Sequence, residues 1–139
     1  MVSSATHLLE TSVLTRLHRP TVRAAVQPFI DAVSLARCVM SDLELGFSAS
    51  TAGEWDAIQA LTAAFEVVLI TDQVTGRAKA VQRMLADCGL KGRKIPDLLI
   101  AAAAELNGLD VVHYDRDFEL IASVTAQPHT WVVPRGSVD

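Results

Sequence analysis

Glu10, Glu44, Asp97, Asp115 and Asp117 are the acidic residues whose positions suggest shared chemistry. Glu10 directly follows the apolar pair Leu8-Leu9, and Glu44 lies three residues after Ser41. Asp97 follows Pro96, and Asp115 and Asp117 come just after Val111-Val112. Carboxylates brought within a few ångströms of one another repel and take up protons unless a cation joins them. A ligand set made only of oxygens suits Mg²⁺ or Mn²⁺. Four of them also have a plainer reading. In the first turn of a helix, Asp97 or Glu44 stabilises the helix dipole, and Asp115 and Asp117 satisfy backbone amides in a turn. Taken singly, each of the four leaves both readings open.

For the acids to meet, the elements between them must carry them to one edge. Short apolar runs alternate with longer helical patterns, the order that a layered α/β fold with a mostly parallel sheet requires. The expected strands cover 6–9, 36–40, 67–70, 111–112 and 130–133. Val13, Leu14 and Leu17 lie on one side of a short helix stopped before Pro20. Val22, Val26, Phe29, Ile30 and Val33 have helical spacing over 21–33. Ser41 with Glu44 has the form of a capping box opening the next helix. Further helices are expected over 54–64, over 72–88 between a Thr71 cap and Gly89, and over 97–107 with Pro96 at the start. The stretch HYDRDFE is a loop passing into a short helix. In an open parallel sheet the carboxyl ends of the strands share one edge, and ligands bind in the crevice there. That edge gives several of the acids a place to converge.

The composition limits what such a site can serve. A chain of 139 residues has the size of one domain and buries roughly two-thirds of its unfolded surface. Half of it is apolar and 20% charged, which excludes a disordered or low-complexity chain. The net charge of −4 has the wrong sign for binding nucleic acid by bulk charge. A polyanion needs local basic residues or bound cations. The longest apolar run, 98–104, is far short of the roughly 20 residues of a membrane span. The start MVSSATHLLE has neither the basic nor the apolar segment of an export signal, so a cytoplasmic protein is expected. Cys38 and Cys88 have no metal-ligand or CxxC spacing and read as buried free thiols. His7, His18, His113 and His129 have no ligand spacing either, and Trp55 and Trp131 read as packing residues.

Three segments carry a family resemblance: LLETSVLTRL near the start, SDLELGFSA at 41–49 and IPDLLIAAAAELNGLDVVHYDRDFELIA at 95–122. Together they resemble the PIN-domain ribonucleases, in particular the VapC toxins of bacterial toxin–antitoxin modules. The most specific part runs from 96 to 118, where a PDxxIAAxA-like helix, a glycine turn, a short strand and DRDF occur in the family's order. The resemblance implies a single PIN-like domain over residues 1–139, a three-layer α/β/α sandwich with a mostly parallel central sheet. It implies an acidic pocket of Glu10, Glu44, Asp97, Asp115 and Asp117, with Glu10 standing where the family has aspartate. Of these, Glu10, Asp97, Asp115 and Asp117 are the implied ligands of Mg²⁺ or Mn²⁺. On that resemblance, a metal held there would activate a water for attack on phosphorus and neutralise the leaving oxygen.

What the resemblance implies functionally is a metal-dependent endoribonuclease, held in check as a toxin by a cognate VapB-type antitoxin and forming a homodimer. Leu14, Leu17, Phe29 and Phe47 offer apolar surface for such partners. Substrate contacts are expected from Lys91, Arg93, Lys94 and Arg116 along the RNA backbone. The hydroxyls of Thr11 and Ser12 either join them or cap the first helix. The extra methylene of Glu10 implies attenuated cleavage. It leaves a second reading open, a catalytically weak PIN-fold protein acting through its antitoxin complex in operon repression. A phosphoacceptor receiver domain is disfavoured, because it needs an aspartate ending its central strand, and the run at 67–70 is followed by Thr71.

Overall fold

The computed structural model describes residues 4–139. In chain order the elements are β1 (His7–Leu9), α1 (Thr11–Leu14), α2 (Pro20–Asp31), β2 (Leu35–Cys38), α3 (Val39–Gly46) and α4 (Ala52–Ala60). They continue with β3 (Glu66–Val68), α5 (Asp72–Asp87), α6 (Ile95–Leu106), β4 (Asp110–His113), α7 (Arg116–Thr125) and β5 (His129–Trp131). The five strands form one sheet in the order β3-β2-β1-β4-β5, and every neighbouring pair is parallel. The chain builds leftward from β1 through β2 to β3, then returns to place β4 on the other side of β1. The carboxyl ends of β1 and β4 thus flank the point where the winding reverses, which is where open α/β sheets bind ligands.

Both faces of the sheet are covered, as the alternation along β1, β2 and β4 shows. Leu8, Ala36, Cys38 and Val111 pack with α5, α6 and α7 residues such as Leu85, Ile100 and Phe118. Their neighbours Leu9, Leu35 and Val112 turn to the opposite face and meet Val13, Val22 and Val26 of α1 and α2. The result is the expected three-layer α/β/α sandwich. In α6, Ala101 to Ala104 are all buried, and their small side chains let the helix lie close to its neighbours.

Several local expectations are corrected. The second strand ends at Cys38 rather than at residue 40, and α3 starts at Val39. Ser41 is therefore inside the first turn and caps nothing; its hydroxyl pairs with Thr11 Oγ1 at 2.8 Å. The fourth helix starts earlier, capped by Thr51 through the Glu54 amide, and β3 begins at Glu66. Thr71 does cap α5, accepting from the Val74 amide. Cys38 is buried, but Cys88 is exposed, because α5 ends just before it and turns at Gly89 with φ 73°. Of the four proposed partner-facing apolar residues, Leu14 is core at 8% exposure and Leu17 and Phe29 pack against the same cluster. Phe47 alone stands out in solvent, at 91%. Trp131 packs on His113 and Tyr114, whereas Trp55 is half exposed and lies over Gly46.

Candidate functional site

Asp97, Asp115 and Asp117 meet. One carboxylate oxygen from each lies within 4.8 Å of the others, a group of three able to hold a cation. Two elements bring this about. Asp97 is the third residue of α6, placed by Pro96 in the first turn. Asp115 and Asp117 flank the start of α7, directly after β4. Asp115 uses its two oxygens separately. Its Oδ1 accepts from the Asp117 amide at 2.9 Å and caps α7, while Oδ2 faces Lys94 Nζ at 3.0 Å.

Glu10 lies beside this trio and Glu44 near Glu10, and neither joins the group. Glu10 is 3% exposed at the carboxyl end of β1, where its own amide donates to Val112 O. Its Oε1 turns back onto α1, accepting from the Ser12 amide at 2.9 Å and from the Ser12 hydroxyl. Glu10 is therefore the N-cap of α1, a task the sequence assigned to Thr11 or Ser12. Ser12 Oγ in turn accepts from the Tyr114 amide at 2.8 Å, tying β1 to the loop that carries Asp115. Glu44 sits in the middle of α3, not in its first turn, and accepts from Thr11 Oγ1 at 2.7 Å. Thr11, Ser41 and Glu44 thus form one hydroxyl–carboxylate network near Glu10.

The basic residues divide. Arg93 reaches Asp117 Oδ1 at 3.4 Å and Lys91 O at 2.7 Å. Lys94 stands over all three acids, at 3.0 Å from Asp115, 3.8 Å from Asp97 and 3.9 Å from Asp117. Lys91 and Arg116 project into solvent beside the site. The sequence placed all four on the rim; two of them are ion-paired to its acids.

Two residues of the site were missed. His113 is fully buried and accepts the Asp115 amide on Nδ1 at 3.2 Å, so its proton is on Nε2, facing His129 Nδ1 at 2.9 Å. Tyr114 holds Ser12 through its amide, while its hydroxyl bonds to Gly136 and Val138 of the tail. No spacing rule marks either, since both act through backbone amides or a neighbouring ring.

Burial dominates the electrostatics. It pushes the Asp97 carboxyl up to about 8, helped by the charge of Glu10 and contact with Asp117 and opposed by Lys94. It pushes Glu10 up to about 7, against the Ser12 hydrogen bonds. Burial also disfavours ionised Asp115, but the Asp117 amide and Lys94 outweigh it and hold that carboxyl below its ordinary value. Asp97 Oδ2 is buried with no hydrogen-bond partner among the described residues. A buried acid with an unsatisfied oxygen, in an all-oxygen trio, suits a hard divalent cation.

A stability test follows from the signs. Glu10 and Asp97 hold protons more tightly when folded, so their contribution is fully present below their ordinary values and is lost as pH rises through about 7 and about 8. His113, pushed down to about 4 by burial and His129, acts oppositely: its contribution is present above 6.5 and lost as pH falls. Between pH 6.5 and pH 8 the change comes mainly from Glu10 and Asp97. In chelator, the melting temperature is expected to fall between pH 6.5 and pH 8, and Asp97→Asn to flatten that fall. A melting temperature that holds or rises across this window contradicts the assignment.

The PIN domain family model matches residues 7–124. The chain is 50% identical over 133 residues to Ribonuclease VapC51 of Mycobacterium tuberculosis (strain ATCC 25618 / H37Rv), covering 96% of this chain and 97% of that protein. It is 43% identical to Ribonuclease VapC21 of the same organism, covering 94% and 96%. Its fold matches that of VapBC2 from Rickettsia felis bound to a promoter DNA fragment, at TM-score 0.76 and 15% identity over 91% of this chain and 98% of that one. DNA-bound VapBC from Salmonella typhimurium matches at TM-score 0.75 and 15% identity, over 93% and 99%. With the sandwich, the acids at the β1/β4 switch point and these relatives in hand, the chain belongs to the PIN-domain family and, within it, to the VapC ribonucleases.

Proposed function

We propose that residues 1–139 act as one PIN-domain unit, a Mg²⁺- or Mn²⁺-dependent endoribonuclease serving as the toxin of a toxin–antitoxin pair. The observation that carries this is the trio Asp97, Asp115 and Asp117 with the unsatisfied Asp97 Oδ2, in a chain half identical to a VapC ribonuclease. These three carboxylates would hold the metal, and Glu10 would act beside them. The bound ion supplies charge neutralisation and an acidified water for attack on a phosphodiester.

The chain's own groups do the rest. Ser12 fixes the Glu10 carboxylate and, through Tyr114, the loop bearing Asp115 and Asp117. The His113 ring holds the Asp115 amide, which keeps that loop from shifting. Thr11, itself bonded to Ser41, holds the Glu44 carboxylate. Lys91 and Arg116, exposed beside the acids, meet the RNA backbone. The cations of the site therefore answer the sign problem of a −4 chain.

The VapBC complexes from Rickettsia felis and Salmonella typhimurium support a VapB-type antitoxin partner, and we extend this to a homodimer. Among the described residues no helix is long and apolar enough to cross a membrane, and a cytoplasmic site of action is part of this reading. The test is purified chain on total RNA with Mn²⁺, with Mg²⁺ and with chelator, with the cleaved ends mapped. Cleavage at defined sites only with metal is expected, and its suppression by the antitoxin. Cleavage equal in chelator overturns the metal requirement. A folded, antitoxin-binding chain that cuts nothing in either ion favours the repression reading instead.

A further inference from the structure

Lys94 is the one cation that reaches every member of the acidic trio among the described residues. Its Nζ lies 3.0 Å from Asp115 Oδ2, 3.8 Å from Asp97 Oδ2 and 3.9 Å from Asp117 Oδ2. The backbone enforces this closeness: Lys94 is the N-cap of α6 and Asp97 is three residues further along the same turn. The neighbouring Arg93 does not duplicate it, because Arg93 takes the other oxygen of Asp117 and is anchored to Lys91 O. The ammonium thus stands on the same carboxylates that suit a divalent ion.

The fit is electrostatic and incomplete. At 3.8 Å the ammonium offsets the charge of Asp97 but is too far for a hydrogen bond, and Asp97 Oδ2 keeps no partner. The Lys94 side chain is 65% exposed, so its head can move to water without disturbing the core, whereas Asp97 at 5% cannot. A divalent ion at the trio and an ammonium at the same oxygens would place like charges a few ångströms apart in a half-buried site, where their repulsion is poorly screened.

We infer that Lys94 is an internal counter-cation of the acid trio, competing with the divalent ion for the same three carboxylates, so that metal loads only as the ammonium leaves. The inference rests on the metal reading given above. Lys94 acts here as a positioning residue that sets how much metal the site needs. It holds the acids together without metal and becomes free for a phosphate once displaced. The consequence for the chain is a site that stays closed to weakly binding cations at low concentration.

The test is calorimetric titration of the full chain with MnCl₂, which reads binding and not turnover. Lys94→Met is expected to lower the Kd for Mn²⁺ by about tenfold or more, the scale of removing one nearby charge at intermediate dielectric. Lys94→Arg keeps the charge and is expected to stay within about threefold of the unmodified chain. In chelator, Lys94→Met should melt lower, and saturating Mn²⁺ should raise its melting temperature by more than it raises that of the unmodified chain. Lys94→Gln serves the same purpose should the Met variant fold poorly. If the unmodified chain binds Mn²⁺ and both neutral variants bind it equally or more weakly, the competition is overturned while the metal site stands. If none of the chains binds Mn²⁺, the metal reading falls and the inference with it.

Discussion

Asp97→Asn is expected to yield a chain that melts higher than the unmodified one in chelator at pH 7.5, yet gains nothing from metal and cleaves RNA at least roughly 100-fold more slowly. The first effect comes from burial. Asp97 is 4% exposed, its Oδ2 makes no hydrogen bond, and burial beside Glu10 has pushed its proton affinity up to about 8. Folding at neutral pH therefore works against this acid, and asparagine removes the conflict while keeping the volume. A gain of even about 1 kcal/mol raises the melting temperature by roughly 2–4 °C in a chain of this size. The second effect comes from linkage. Metal that binds only the folded chain adds RT ln(1 + [L]/Kd), about 2.7 kcal/mol at a hundred times Kd. Without the Asp97 carboxylate the trio is reduced to Asp115 and Asp117, and Asp115 already commits one oxygen to capping α7. Thermal melts with and without Mn²⁺ read both effects at once. An Asp97→Asn chain that is less stable in chelator, or that keeps the full metal response, shows that Asp97 is a structural acid and not part of a cation site.

The sequence was most informative where function and local structure demand the same residue. Asp97 after Pro96 and Asp115 before α7 are good helix-start acids whatever else they do, so the pattern that places them is also the pattern that reveals them. The parallel sheet was legible for a similar reason: short runs such as Val111-Val112 between long amphipathic stretches leave few other topologies. Boundaries were less so. Residues 39 and 40 are as apolar as a strand requires, yet the extended backbone ends at Cys38 and the chain turns into α3 at Val39. Contacts that depend on three dimensions were not legible at all. Nothing in HYDRDFE says that His113 faces His129, sixteen residues away, or that the Tyr114 amide finds Ser12 across the sheet edge. The basic loop was read as a set of RNA-backbone contacts, but Lys94 lays its ammonium over the trio it precedes while its stem stays exposed. In each case the missed feature lies in the meeting of two segments, neither of which carries the signal alone.

Glu10→Asp is expected to raise the cleavage rate by about 10- to 100-fold with little change in stability. Glu10 stands where the resemblance calls for aspartate, and its carboxylate is about one carbon–carbon bond further from the backbone. In the structure that extra reach is spent on folding back: Oε1 takes both the amide and the hydroxyl of Ser12, and Glu10 stays outside the group formed by Asp97, Asp115 and Asp117. Aspartate is a better N-cap than glutamate, so it keeps the bond to the Ser12 amide and the start of α1. The charge is kept as well, and the Ser12 hydroxyl still has the Tyr114 amide to hold it in place. What changes is where the carboxylate stands relative to the trio, and misplacement of about 1 Å at a reacting centre costs on the order of 100-fold. The gain should be larger in Mg²⁺ than in Mn²⁺, because Mg²⁺ demands near-octahedral geometry at about 2.0–2.1 Å. The measurement is a side-by-side rate on one RNA substrate in each ion, with thermal melts in chelator as the stability control. Equal rates show that the pocket tolerates glutamate. A slower Glu10→Asp chain shows a site built around the longer side chain, with the Ser12 clamp as its means of holding that carboxylate at working distance.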